Sequence, residues 1–302
     1  SPQAVIGGTY HHLVLSGGSV KTLPANLTTL NGNLTISSDT STTLAADLTV
    51  VGNVTIDSGA TLDVSTSNFA INLRGNWTCS TSSGALVARS GLVTLQGTVS
   101  QRLEGGDCVF NDLTLNNAAG AYLNDTSMMV NGALTLTNGM LDTGTKTLIM
   151  GSDGSIAGAD ATRYIRGNLR KTFAVSGSSQ NFTFPIGDAA AYTPVEFSVD
   201  GVSTAGTITI KTTAGEHPNI STAVGLDRYQ DVNRYWTLTP ATIVFSSYTA
   251  TFHYLPSDLD SGADPASFVA KRCDSASVWH PTTSGVRTAT STQSISVPFT
   301  TS

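Results

Sequence analysis

A short phrase recurs along the first half of the chain and restricts its fold more than any other feature: glycine, asparagine, then an alternating strand. It reads Gly32-Asn33-Leu34-Thr35-Ile36, Gly52-Asn53-Val54-Thr55-Ile56 and Gly75-Asn76-Trp77-Thr78, with a later echo at Gly132-Ala133-Leu134-Thr135-Leu136. The first three copies start 20 and 23 residues apart. Between the copies lie further triplets of the same kind, among them Leu13-Val14-Leu15, Leu48-Thr49-Val50, Leu62-Asp63-Val64, Leu113-Thr114-Leu115 and Leu148-Ile149-Met150.

An apolar-polar-apolar triplet sends two side chains to one face and one to the other, the signature of a strand with one wet side. Three residues cannot stand alone as a strand. Recurring about twice per coil-length of sequence, such strands satisfy themselves by stacking, each turn of chain pairing in parallel with the one before. Leu, Ile and Val then form interior ladders and Thr exterior ones. Asn31-Gly32, Asn131-Gly132 and Asn138-Gly139 suit the positive φ that sharp corners need. The same dipeptide fits antiparallel hairpins; the persistence of one strand pattern over roughly 150 residues favours the solenoid.

Charged residues make up 12% of the 302 residues, too few to cover the wet faces of ordinary amphipathic helices, so the expected class is all-β. The net charge of −6 and a pI near 5.2 offer no attraction to nucleic acid or anionic lipid. No apolar run reaches 18 residues, so membrane insertion is not expected. The chain starts at Ser1 without the charged and apolar regions of a signal peptide, and is expected to be a processed mature form or an excised segment.

Past Gly158-Ala159-Asp160 the pattern changes: strands lengthen, aromatics appear and the repeat stops. Tyr164 to Phe173 reads as a strand pair or bulged strand. Further strands are expected around Phe182, Phe197, Ile208, Trp236, Phe252, Phe268 to Lys271 and Ile295. About eight alternating strands joined by Gly and Pro loops describe a β-sandwich, immunoglobulin-like, with Trp236, Trp279 and Phe252 anchoring its core. The expected organisation is a parallel β-solenoid (β-helix) over 1–160 and the sandwich over 161–302.

An ordered series of segments, GNWT at 75–78, VTLQG at 93–97, FNDLTLNN at 110–117, VNGALTLTNGMLDTG at 130–144, FPIGD at 184–188, YTPVEFSV at 192–199 and NRYWTL at 233–238, resembles large surface proteins of Bacteroidetes and related bacteria. The resemblance implies a secreted adhesin or a cell-envelope or matrix component. Members often carry a C-terminal sorting domain; the segment here ends at Ser302 without one, which leaves the export route open.

Chemistry is sparse in the sequence. Asp57, Asp63, Asp112, Asp125 and Asp142 sit mostly beside Gly, Ser or Asn, where Asp stabilises turns. Glu104 is the only glutamate of the first half, so a paired acid-base site is not expected there. His11 and His12, being adjacent, are expected to face opposite sides and to lie on the surface. No catalytic residue and no cofactor is assigned, and the chain is expected not to be an enzyme. The metal candidate is the acidic loop carrying Asp258, Asp260 and Asp264, whose oxygens suit Ca2+, although it lacks the spacing of an EF-hand. Of Cys79, Cys108 and Cys273, the first two, 29 apart, are the candidate disulfide pair, with buried thiols as the alternative.

These readings converge on an extracellular structural or adhesive protein. Its solenoid is a stiff spacer, and its partners are itself in a filament, other surface components, or glycans. The sandwich is expected to cap the solenoid, since open β-edges invite pairing. Glycan binding would need exposed aromatics such as Tyr10, Trp77 and Tyr122 in a row; a carbohydrate-active β-helix enzyme would need a clustered carboxylate pair.

Overall fold

The computed structural model describes residues 3–80, 85–106 and 108–296. The chain divides into two compact units, Ser1–Ile165 and Arg166–Ser302, five residues beyond the change of sequence pattern at Asp160. Among the described residues the only helical turns are three short 3-10 segments, Ile220–Thr222, Pro256–Asp258 and Pro265–Ser267.

The first unit is a parallel β-solenoid with three strands per turn. One face stacks Leu13–Leu15, Leu34–Ile36, Val54–Ile56, Trp77–Cys79, Gln101–Glu104, Ala121–Leu123 and the first part of Leu141–Met150. Another begins at Thr29–Leu30 and runs through Leu48–Val50, Ile71–Leu73, Leu92–Leu95, Asp112–Asn116 and Ala133–Asn138 to Ser155–Ala157. Register places like on like: Leu48, Ile71, Val93, Leu113 and Leu134 are successive partners, all at most 3% exposed. Thr35, Thr55 and Thr78 form the outer column between the buried ones.

The remaining face, Val20–Thr22, Ser41–Thr43, Thr61–Asp63 and Leu86–Val87, inverts the pattern. Its three-residue strands bury the centre residue and turn the flanking two outward, and Thr42, Leu62 and Leu86 stand in one interior column. Leu62 is the middle of its strand, and the Leu62-Asp63-Val64 triplet still sends Leu62 and Val64 inward, at most 1% exposed, with Asp63 between them turned outward. After this face, Val109–Phe110, Ser127–Val130 and Thr147–Met150 take its place in the coil. The ten-residue strand Leu141–Met150 serves two faces, pairing with Ala121–Tyr122 at its start and with Ser127–Val130 at its end.

The recurring Gly-Asn phrase sits at one corner, and its purpose is stacking. Asn53 donates its backbone N–H to Asn33 Oδ1 at 2.9 Å, Asn76 donates to Asn53 Oδ1 at 2.8 Å, and Arg102 to Asn76 Oδ1 at 2.8 Å. His12 Nδ1 starts the ladder by accepting from the Asn33 N–H at 3.0 Å. The glycine before each asparagine is required by closeness: a Cβ on Gly32, Gly52 or Gly75 would stand 2.2 to 2.7 Å from a carbonyl oxygen of the coil below. This corrects the positive-φ expectation. Of Gly32, Gly132 and Gly139, only Gly139 has positive φ, at 80°.

The second unit is a β-sandwich of antiparallel sheets. One sheet holds Ile165–Phe173, Gly206–Ala214 and Arg234–Ala241. The facing sheet holds Gln180–Phe184, Val195–Asp200, Ser247–His253, Ser291–Ser296 and Thr283–Thr288. Tyr164 to Phe173 thus contains one continuous strand and no strand pair. Phe173 and Phe197 meet across the layers with ring centroids 6.0 Å apart, and Phe197 stacks on Tyr248 at 5.5 Å. Lys271–Cys273 and Trp279–Pro281 form a separate hairpin; the strand expected at Phe268 begins only at Lys271.

Candidate functional site

The sandwich core is unevenly sealed. Phe173, Phe184, Val195 and Ile210 are at most 1% exposed, whereas Trp236, Phe252 and Trp279, expected as core anchors, are only partly buried. These three line a cavity of about 800 Å³ within this unit, together with Tyr235, Tyr254 and Phe268. Trp236 and Phe252 touch with centroids 5.0 Å apart, and His217 packs edge-on against both Tyr235 and Trp279 at 5.0 Å. The Trp279 indole N–H is already committed, donating to the Asn219 carbonyl at 3.1 Å. Packed interiors rarely leave voids larger than a water molecule, and this volume lies in the range of ligand pockets.

The lining also carries the carboxylates Glu216 and Asp231. Carboxylate oxygens of Glu216, Asp231 and Asp260 all lie within 4.8 Å of one another. Three loops bring them together. Asp260 donates its N–H to the Asp231 carbonyl at 3.1 Å, Asn233 Nδ2 donates to Asp260 Oδ1 at 2.8 Å, and Gly215 donates to the Asn233 carbonyl at 2.7 Å. The Asp231 N–H in turn reaches Asp260 Oδ2 at 3.2 Å. Asp231 Oδ1 is shut off from solvent with no hydrogen-bond partner. Burial, then the neighbouring charges of Glu216, Asp260 and Asp227, push the Asp231 carboxyl up to about 7. Burial and Asp260 also raise Glu216, with Arg228 opposing, and burial lowers His217.

The three proposed calcium ligands are separated by this arrangement. Asp258 is engaged by Arg234, which donates from Nε at 2.9 Å and from its terminal nitrogen at 3.1 Å. Asp264 accepts from the Ala266 N–H at 3.1 Å, capping a 3-10 turn. Only Asp260 joins an acidic cluster, and its companions are Glu216 and Asp231. Arg234, its side chain 1% exposed, also pairs with Asp188.

The solenoid's named residues have local duties. Asp63 binds Arg89 on the next turn through two contacts at 2.7 Å, a hydrogen bond that holds its carboxyl below the usual range. Asp112 accepts from the Ala133 N–H at 2.7 Å, Asp125 from Gly106 at 3.0 Å and Asp142 from Gly144 at 2.9 Å. His11 and His12 are exposed and pack edge to face at 4.4 Å instead of facing opposite sides. Trp77 is 1% exposed and packs on Phe110 at 5.1 Å. It therefore cannot join Tyr10 and Tyr122 in a surface row. Cys79 and Cys108 are joined, with Cα atoms 6.2 Å apart, and Cys273 is a free thiol lining the sandwich cavity.

No protein-family model matches the chain, and neither does any curated protein or solved structure.

Proposed function

We propose that this protein is an extracellular structural or adhesive component, with the solenoid as a stiff spacer and the sandwich as the module that meets a partner. The observation that carries this reading is the solenoid's continuous stack: a seven-stranded face with like residues in register and a polar ladder at the corner. At the usual strand spacing such a stack extends roughly 30 Å with every inner strand paired on both sides. The Cys79–Cys108 link supports an oxidising location, because structural disulfides persist outside the cytosol. Antibody labelling of intact producing cells tests the location: surface label supports it, and label seen only after lysis refutes it.

Self-assembly is the form of partnership favoured by one further observation. Among the described residues nothing pairs with the outer edge of Leu13–Leu15, and Val14 on that strand is 61% exposed. Open edges template pairing with another chain. Light scattering across a hundredfold concentration range, with electron microscopy, should show growth in mass; a constant monomer without fibres refutes assembly.

A further inference from the structure

The lining of the sandwich cavity combines two chemistries: aromatic side chains and two members of a carboxylate cluster. We infer that the cavity is a binding site for a small organic cation, an ammonium group held at Glu216 and Asp231 with its apolar body against Trp236 and Phe252. This inference concerns the sandwich alone and stands independently of the spacer reading.

Three observations support it. First, the cavity of about 800 Å³ exposes large aromatic side chains that a closed sandwich would bury; leaving them wet forfeits burial that an apolar ligand would restore. Second, aromatic faces attract cations as well as apolar groups, and Tyr235 and Trp279 flank His217, the neighbour of Glu216. Third, two of the three cationic side chains of Lys and Arg in the lining are engaged elsewhere. Arg234 is held by Asp188 and Asp258, and Lys271 donates to the Val224 carbonyl. The third, Arg272, lies on the Lys271–Cys273 strand and is not among the charges that shift Glu216 or Asp231. Arg228 alone offsets the cluster at Glu216. The cluster is left short of positive charge, its buried Asp231 Oδ1 having no hydrogen-bond partner, and an ammonium group at Glu216 and Asp231 supplies the compensating charge.

A neutral sugar would use the aromatic walls but gain nothing specific from the carboxylates, and a bare metal ion would use the carboxylates but leave the walls empty. The test follows from this contrast. Titration calorimetry at pH 8 with 2-phenylethylammonium chloride, neutral 2-phenylethanol and calcium chloride is run on the full chain and on Asp231→Asn and Glu216→Gln. The amine is expected to bind at least tenfold tighter than the alcohol, to slow alkylation of the cavity thiol Cys273, and to lose most of that advantage in Asp231→Asn with circular dichroism unchanged. Equal affinity for amine and alcohol, undiminished preference in both variants, or binding of calcium without the amine would overturn the inference.

Discussion

Gly75→Ala should destabilise the solenoid by about 2–4 kcal/mol although it adds only one methyl group. The new Cβ would stand 2.3 Å from the Gly52 carbonyl oxygen and 2.7 Å from Asn53 Oδ1, where real Cβ contacts essentially never fall under 3.0 Å. The coil cannot easily yield the missing distance. Gly75 donates to the Gly52 carbonyl at 3.1 Å, Asn76 to Asn53 Oδ1 at 2.8 Å, and Val54 to the Asn76 carbonyl at 3.0 Å. Lifting the corner enough to admit the methyl stretches at least one of these bonds, each contributing about 1 kcal/mol, on top of an overpacking cost of about 1–3 kcal/mol. The reduced freedom of the unfolded alanine chain returns less than about 1 kcal/mol. Gly8→Ala is the control, since its Cβ would meet nothing closer than Tyr10 at 3.9 Å, and should fall within about 0.5 kcal/mol of the parent. Hydrogen exchange read by mass spectrometry resolves the turns spanning residues 52–79 from the sandwich, so the opening free energy is measured where the change is made. A Gly75→Ala value within about 0.5 kcal/mol of the parent, or an equal loss in Gly8→Ala, would show that close stacking does not select this glycine.

Two other outcomes are expected. Under denaturing, non-reducing conditions one thiol, Cys273, should react with maleimide; three reactive thiols would contradict the Cys79–Cys108 link, and Cys79→Ala with Cys108→Ala should lower stability by about 2–4 kcal/mol. Asp231, raised to about 7, keeps its proton in the folded state above the pH at which the unfolded chain releases it. Its contribution therefore favours folding at low pH and declines as pH rises from about 4 to about 7. Asp231→Asn should flatten that slope and raise the urea midpoint at pH 8, and an unchanged pH profile would show that Asp231 titrates normally.

The solenoid was legible because its contacts are periodic: Asn33, Asn53 and Asn76 meet across turns separated by one repeat length, so a pattern local in sequence is also a map of neighbours. The sequence likewise marked the change of architecture near Asp160 and the pairing candidate Cys79 with Cys108. It misread the reason for Gly32 and Gly132, because a demand for closeness leaves the same residue behind as a demand for positive φ. In the sandwich the decisive neighbours lie on non-repeating loops. Glu216, Asp231 and Asp260 carry no spacing signal, and their carboxylates meet only because the fold holds three separate loops together. Trp236 and Phe252 alternate as core residues should, yet alternation fixes only which face of a strand a side chain occupies. Whether that face is filled by the opposite sheet or left open as a cavity depends on how the two sheets and the Lys271–Pro281 hairpin diverge, and only the tertiary structure decides that.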